Sequence, residues 1–92
     1  MNIITLSDLS KKEIINVCDG TRLGYPVDYE FDVCTSNIIG IIIEKSCGFL
    51  GLVSGERTVI PWCKIECIGE DAILVRISSD EAQRLRKTKK SV

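Results

Sequence analysis

Residues 20–44 constrain the fold of this chain most, because they read as two β-strands joined by a short turn. The first arm, residues 27–33, alternates apolar or aromatic side chains with acidic ones without a break. This two-residue period predicts a strand with one buried face. The second arm, residues 38–43, is apolar except at Gly40, which predicts a strand covered on both faces by the fold or by a partner. The stretch therefore predicts a β-hairpin.

Short strands are predicted on both sides of this hairpin. Residues 7–10 favour one helical turn, followed by a first strand over about residues 12–18. Residues 58–61 predict a short strand stopped by proline, and residues 66–68 and 72–77 predict a final hairpin. This gives about five or six short antiparallel strands without a long helix. A sheet this small covers its edges best by closing, so we predict a small all-β barrel.

Three turn or strand positions indicate special backbone conformations. Asp19–Gly20 is a strong turn signal, and together with Gly24 it suits a structural turn better than a ligand-binding loop. In the turn at residues 34–37, Asn37 is the residue most able to adopt a left-handed conformation. Gly40, inside a strand, predicts a bulge or the close approach of another backbone.

The composition is that of an ordinary globular domain. The 92 residues suffice for one domain with a small core, and 45% of them are apolar and 27% charged. No apolar run reaches the roughly 18 residues that a membrane span needs, and the first residues do not resemble a signal peptide. We therefore expect a cytoplasmic protein without a membrane span.

The five cysteines are expected to be reduced, because their number is odd and the chain contains neither a C-x-x-C pair nor a histidine. Cys63 and Cys67 are separated by three residues, and an all-cysteine zinc site would have to recruit two more from separate turns. The simpler interpretation is that the cysteines fill strand and turn positions as small apolar side chains. We predict no metal and no cofactor.

Charge divides the chain into an acidic body and a basic tail. Residues 1–77 carry 7 Lys and Arg against 11 Asp and Glu, whereas residues 78–92 carry 5 against 2. The tail begins with the S-x-x-E spacing of a capping box, which predicts a short frayed helix followed by a disordered end. The expected division is a barrel domain over residues 1–78 and a basic tail over residues 79–92.

Candidate catalytic or ligand-binding residues are few. There is no histidine, no G-x-S-x-G motif and no phosphate loop. Asp28, Glu30 and Asp32 share one strand face at spacings of about 7 Å and could hold a divalent cation, but a solvated face paired with basic residues of a neighbouring strand is the simpler interpretation. Trp62 could stack on a nucleic-acid base, yet its place after a proline favours a plug in the core.

Several short motifs, in this order and spacing, resemble the PRC-barrel family, and within it the YlmC/YmxH-type sporulation branch. The resemblance covers about residues 6–77. Its carriers are Leu6-Ser-Asp-Leu9, Lys12-Glu-Ile-Ile-Asn-Val17, Asp19-Gly20 with Arg22-Leu-Gly24, Asp28, the apolar strand, Gly48-Phe-Leu-Gly-Leu52, and, most specifically, Val59-Ile-Pro-Trp62 followed by Ile65, Gly69-Glu-Asp71 and Ile73-Leu-Val75. Ser36 departs from the pattern, since glycine is expected after Thr35, and Cys63 and Cys67 replace expected charged residues.

The resemblance implies a six-stranded antiparallel barrel that serves as a non-enzymatic adaptor. Relatives of the fold occur in the H subunit of the photosynthetic reaction centre and in the ribosome maturation factor RimM, where the barrel binds other macromolecules. For the present chain the resemblance implies a role in sporulation through protein partners that it does not name.

We expect association as a homodimer, because the chain is small, one strand is apolar on both faces, and residues 45–57 form a glycine-rich apolar segment that either folds back on the barrel or meets a partner. The candidate interface residues are Ile39, Ile41, Ile43, Phe49, Leu50 and Leu52. The alternative is a nucleic-acid or ribosome-associated module that uses the basic tail, although the acidic body opposes broad docking. Its candidate contacts are Arg84, Arg86, Lys87, Lys89 and Lys90.

Overall fold

The structure is a computed structural model, and it describes residues 3–44 and 56–89. Two short helices and a 3-10 turn accompany eight short strands in this part of the chain. In chain order the elements are α1 (Leu6–Ser10), β1 (Glu13–Asn16), β2 (Thr21–Gly24), β3 (Asp28–Asp32), β4 (Asn37–Glu44), β5 (Glu56–Pro61), the 3-10 turn (Trp62–Lys64), β6 (Ile65–Ile68), β7 (Ala72–Val75), α2 (Ser79–Arg84) and β8 (Lys87–Lys89).

The strands form two four-stranded sheets, in the orders β2-β1-β7-β6 and β3-β4-β5-β8. The mostly β architecture is confirmed, but the prediction of a closed, six-stranded antiparallel barrel is wrong. Among the described residues no strand ladder joins the two sheets. The ladder of the first sheet stops after Gly24, whose φ is +90°, and Pro26 has no N–H with which to continue it. Moreover β1 and β7 pair in parallel, with Ile14 opposite Ile73.

The core lies between the sheets and is made of aliphatic side chains from both. It is formed by Ile14, Leu23, Ile73 and Val75 of the first sheet, Ile41, Ile43 and Ile60 of the second, Leu9 of α1, Ala82 of α2, and Ile77 before α2. Burying a Val, Leu or Ile side chain contributes about 1.5–3 kcal/mol, so this cluster is the main source of stability. It also explains why both short helices matter: each contributes one buried side chain.

The local predictions are largely confirmed. The helical turn at residues 7–10 is α1, the first strand is β1, and the final hairpin is β6 with β7. Pro61 ends β5, and Gly20 has φ +74° in the turn after β1. The capping box of the tail is present at the start of α2. The predicted disordered end of the tail is wrong for Lys87–Lys89, which pair with β5 as strand β8.

The predicted hairpin is β3 with β4, but β3 is less buried than its alternation suggests. Tyr29 packs against the core, whereas Phe31 is 49% and Val33 89% exposed. The reason is length: β4 has eight residues, whereas every strand of the first sheet has four. At about 3.3 Å per residue, β4 is about twice as long as any strand of the first sheet, which agrees with the exposure of the residues near the turn.

Strand β4 is buried on both faces only in its second half. Ile41, Ile42 and Ile43 are buried, whereas Ile39 is 43% exposed. Both predictions for Gly40 are confirmed. The ladder with β3 shifts register beside it, and a Cβ at Gly40 would collide with the carbonyl oxygen of Ile60 and lie 3.0 Å from Cγ1 of Val59. Only glycine therefore allows β4 and β5 to approach this closely.

The turn between β3 and β4 differs from the prediction. Ser36, with φ +63°, is the left-handed residue, and Asn37 is already paired with Asp32 as the first residue of β4. Asp32 organises the turn: its backbone oxygen accepts from the N–H of Ser36 at 2.7 Å, and its Oδ1 accepts from the N–H of Cys34 at 2.9 Å. These bonds place the left-handed conformation at residue 36, where the resemblance led us to expect glycine.

None of the helices in residues 3–44 and 56–89 is long and apolar enough to cross a membrane. The apolar segment predicted to fold back on the barrel or to meet a partner falls mostly within residues 45–55, outside the described residues, and so does Cys47.

Candidate interaction surfaces

The turn end of the hairpin carries the first set of exposed apolar side chains, which we call the hairpin surface. We define it by Phe31, Val33 and Ile39, which are exposed near the turn, together with Trp62, which lies beside Ile39. A shallow groove runs between the start of β4 and the 3-10 turn, and Ile39 and Trp62 both line it. Part of the Trp62 side chain packs against the core, which confirms its predicted role as a plug. Its remaining surface extends the apolar lining of the groove.

Acidic side chains of β3 alternate with Tyr29 and Phe31 along the strand, and each is engaged within the chain. Oδ1 of Asp28 accepts from the N–H of Tyr29 at 2.8 Å, and Asp32 holds the turn. Glu30 forms an ion pair with Arg86, in which one hydrogen bond measures 3.1 Å. The prediction of an acidic strand face paired with a basic residue is therefore confirmed for Glu30.

A second exposed apolar surface, the N-terminal surface, lies at the far end of strand β6. It consists of Ile3, Ile4 and Ile68, and the side chain of Ile3 is 80% exposed. These isoleucines line a shallow depression together with Lys12 and Glu70. Nζ of Lys12 donates to the backbone oxygen of Glu70, so the two residues are fixed next to each other at the rim.

The structure separates the residues that we predicted to form one interface. Ile41 and Ile43 are fully buried in the core of the chain, so their side chains are not accessible to a partner. Ile39 remains accessible as part of the hairpin surface. Phe49, Leu50 and Leu52 lie outside the described residues.

The basic tail is partly used by the fold. The ion pair with Glu30 raises the pKa of Arg86, and the backbone oxygen of Arg86 accepts from the N–H of Val59 at 2.9 Å. Arg84 and Lys87 are exposed. Lys89 belongs to β8, and Lys90 lies outside the described residues. Of the predicted nucleic-acid contacts, Arg86 is therefore committed to an internal ion pair.

A second ion pair joins the 3-10 turn to α2. Lys64 follows Trp62 in this turn and pairs with Glu81, which also accepts from the backbone N–H of Ser78 at 3.0 Å. These hydrogen bonds, chiefly the one from Lys64, lower the pKa of Glu81 from 4.5 to about 2. This ion pair therefore holds the 3-10 turn, and with it Trp62, next to α2.

Asn16 is buried and holds two distant parts of the chain together, a role that was not predicted from the sequence. Its Nδ2 donates to the backbone oxygen of Ile77 at 2.8 Å, and its Oδ1 accepts from the N–H of Ile77 at 3.1 Å. Oδ1 also accepts from the N–H of Cys18 at 3.1 Å. The signal that could have found it is an amide side chain between the aliphatic residues Ile15 and Val17, since buried polar groups need partners.

The described cysteines occupy turn and strand positions as predicted, but they are exposed instead of buried. Cys18, Cys34, Cys63 and Cys67 are exposed and unpaired in disulfides. Within residues 3–44 and 56–89, no three Cys, Asp or Glu side chains lie together as a set of metal ligands. The polar groups described above instead support turns, caps and ion pairs, and two apolar surfaces remain exposed.

A small two-sheet β domain with exposed apolar surfaces is the class that this geometry defines, and comparison with known proteins agrees. The PRC-barrel domain profile matches residues 1–82, so the chain belongs to the PRC-barrel family. Over 83 residues it is 41% identical to the probable sporulation protein YlmC of Bacillus subtilis (strain 168). That match covers 87% of this chain and 100% of the Bacillus protein. The predicted family is therefore confirmed.

Proposed function

We propose that this chain is a non-enzymatic adaptor of the PRC-barrel family that acts in sporulation through contacts with proteins, and that it works as a homodimer. The place in sporulation is supported by the likeness to a probable sporulation protein along almost the whole chain. The adaptor role and the homodimer are supported by the exposed surfaces of the molecule.

The observation that carries the adaptor role is the presence of two separate apolar surfaces on one small domain. The hairpin surface adjoins the start of β6, because Trp62 precedes this strand, whereas Ile68 of the N-terminal surface ends it. Four residues of strand separate them by about 10 Å. Clustered exposed apolar side chains mark interaction sites on soluble domains, and an adaptor needs two of them.

The engagement of four carboxylates within the fold supports the non-enzymatic part of the proposal. The carboxylates of Asp28 and Asp32 accept from backbone amides, and Glu30 and Glu81 are paired with Arg86 and Lys64. A catalytic base has to be left available to a substrate. These four carboxylates are instead occupied by the fold.

Nucleic-acid binding through the tail gains no support from the positions of its basic residues. Arg86 is neutralised by Glu30, and β8 places Lys87 beside the acidic sheet rather than on an extended arm. Phosphate contacts need free cationic groups, and each one engaged internally lowers the affinity.

The experiment that tests the proposed function is the solution mass of the pure protein by light scattering, measured over a dilution series with reductant present. The four exposed thiols make the reductant necessary, because a stray disulfide would imitate an interface. A homodimer is expected at twice the 10.2 kDa of the chain. A mass of one chain at every concentration would refute self-association. Loss of sporulation on deletion of the gene, and its rescue by the wild-type copy, would test the cellular role.

A further inference from the structure

The two apolar surfaces differ in the charges around them, and this difference indicates which one suits a second copy of the chain. In a two-fold symmetric interface each patch meets an identical patch, so the patch has to be complementary to itself. A patch flanked by charges of one sign is repelled by its copy, whereas a patch that carries both signs can form two equivalent ion pairs.

The hairpin surface does not meet this condition. None of the described residues that line its groove is charged, so two facing copies would gain no ion pair there. The acidic residues of β3 alternate with Tyr29 and Phe31 and lie on the other face of the strand. The edge of β3 is also closed to an added strand at Tyr29, because the Asp28 carboxylate already accepts from its N–H.

The N-terminal surface meets the condition. Ile3, Ile4 and Ile68 supply an apolar centre, and Lys12 and Glu70 place one positive and one negative group on its rim. Lys12 donates to the backbone oxygen of Glu70 and not to its carboxylate, so this carboxylate has no ion-pair partner among the described residues. Homodimer interfaces are typically rich in apolar side chains at their centre.

We propose that the N-terminal surface is the homodimer interface, in which Ile3, Ile4 and Ile68 pack against the same residues of a second copy. Lys12 of each chain then pairs with Glu70 of the other. This inference rests on the self-association in the proposed function and adds its location. It leaves the hairpin surface free for a different protein. The patch is small for an interface, so the dimer dissociates on dilution.

The test measures mass against concentration for wild type, Ile68→Lys and a matched variant, Val33→Lys, which adds the same charge at the hairpin surface. Ile68→Lys is expected to be monomeric throughout, because it places an unpaired cation in the apolar centre. Val33→Lys is expected to dimerise as wild type does. Equal urea midpoints for the three proteins, measured at a dilution where wild type is monomeric, will show that the fold is unchanged.

A charge exchange identifies the contact between chains. Lys12→Glu and Glu70→Lys are each expected to weaken the dimer at least tenfold, since each variant confronts its copy with like charges. An equimolar mixture of the two variants is expected to form a heterodimer with the affinity of wild type, because one ion pair keeps its wild-type residues and the other reappears with reversed signs.

Three results would overturn the inference. A dimer that survives Ile68→Lys but is lost in Val33→Lys would place the interface at the hairpin surface and leave self-association intact. A mixture of Lys12→Glu and Glu70→Lys that stays monomeric would eliminate the ion pairs between chains. A wild-type protein that is monomeric at every concentration would refute both the interface and the self-association on which it rests.

Discussion

Replacement of Asn16 by alanine is expected to destabilise the domain strongly, because the side chain satisfies both backbone groups of Ile77 in the core. Both residues are shielded from solvent, since Asn16 is 3% and Ile77 2% exposed. Asn16→Ala leaves one buried N–H and one buried C=O of Ile77 without a partner, at a cost of about 1–3 kcal/mol each. The N–H of Cys18, at an exposed residue, can bond to water instead. The expected loss is therefore about 4 kcal/mol, a large part of the stability of a domain this size.

Urea denaturation with reductant present measures this loss, and amide hydrogen exchange of Ile77 locates it. Asn37→Ala serves as the control, since Asn37 is exposed and its replacement is expected to change stability by less than about 0.5 kcal/mol. The Ile77 amide is expected to lose its protection in Asn16→Ala at urea concentrations far below the midpoint. A loss of less than about 1 kcal/mol with the Ile77 amide still protected would refute the reasoning.

Three further changes test other parts of the fold. Ser36→Gly is expected to stabilise the domain by about 0.5–1 kcal/mol, because glycine adopts φ +63° without the strain of a side chain. Thr58→Val is expected to raise the free energy of unfolding by about 1 kcal/mol, since the Thr58 hydroxyl is fully buried without a hydrogen-bond partner among the described residues. The pKa of Glu81 is lowered from 4.5 to about 2 by Lys64, so the stability that this ion pair supplies is present above pH 4.5 and lost as the pH falls towards 2. Urea titrations are expected to show that Glu81→Gln loses less stability than wild type as the pH falls from 4.5 to about 2.

Each of these changes has a control or a contrary result. Ser36→Ala keeps a Cβ and is expected to bring no gain, so an equal gain from alanine would contradict the account of the turn. Thr58→Ser keeps the hydroxyl and removes the methyl group, and it is expected to be less stable than wild type. If wild type and Glu81→Gln lose stability in parallel between pH 4.5 and 2, the Lys64 pair does not contribute to the acid response.

The elements that depend on short-range patterns could be predicted from the sequence. The glycine at position 40 indicated both the bulge and the close approach of β5, and the spacing of Ser78 and Glu81 indicated the capping box of α2. Such features follow from the conformational preferences of a few neighbouring residues. The family pattern likewise indicated glycine at position 36, where the structure has a left-handed serine.

The features that depend on distant pairing could not be predicted in this way. The alternation along β3 gives the two faces of the strand, but it does not reveal that Phe31 and Val33 stay exposed. Strand β8 is polar and has no strand pattern of its own, and it forms because β5 offers an open edge. The same limit applies to the predicted interface. The sequence shows that Ile41 and Ile43 are apolar, but it does not show that they fill the core of their own chain.

The parallel pairing of β1 with β7 has a consequence for how the protein forms during synthesis. β1 lies between β2 and β7 in its sheet, and the Asn16 bonds that secure this arrangement reach Ile77, 61 residues further along the chain. The early part of a nascent chain therefore carries Ile14 and Asn16 without the strand that covers them. Contacts this distant in sequence form slowly. The domain thus becomes able to fold only when Ile77 has left the ribosome, and until then its first strand is exposed to chaperones and to other chains.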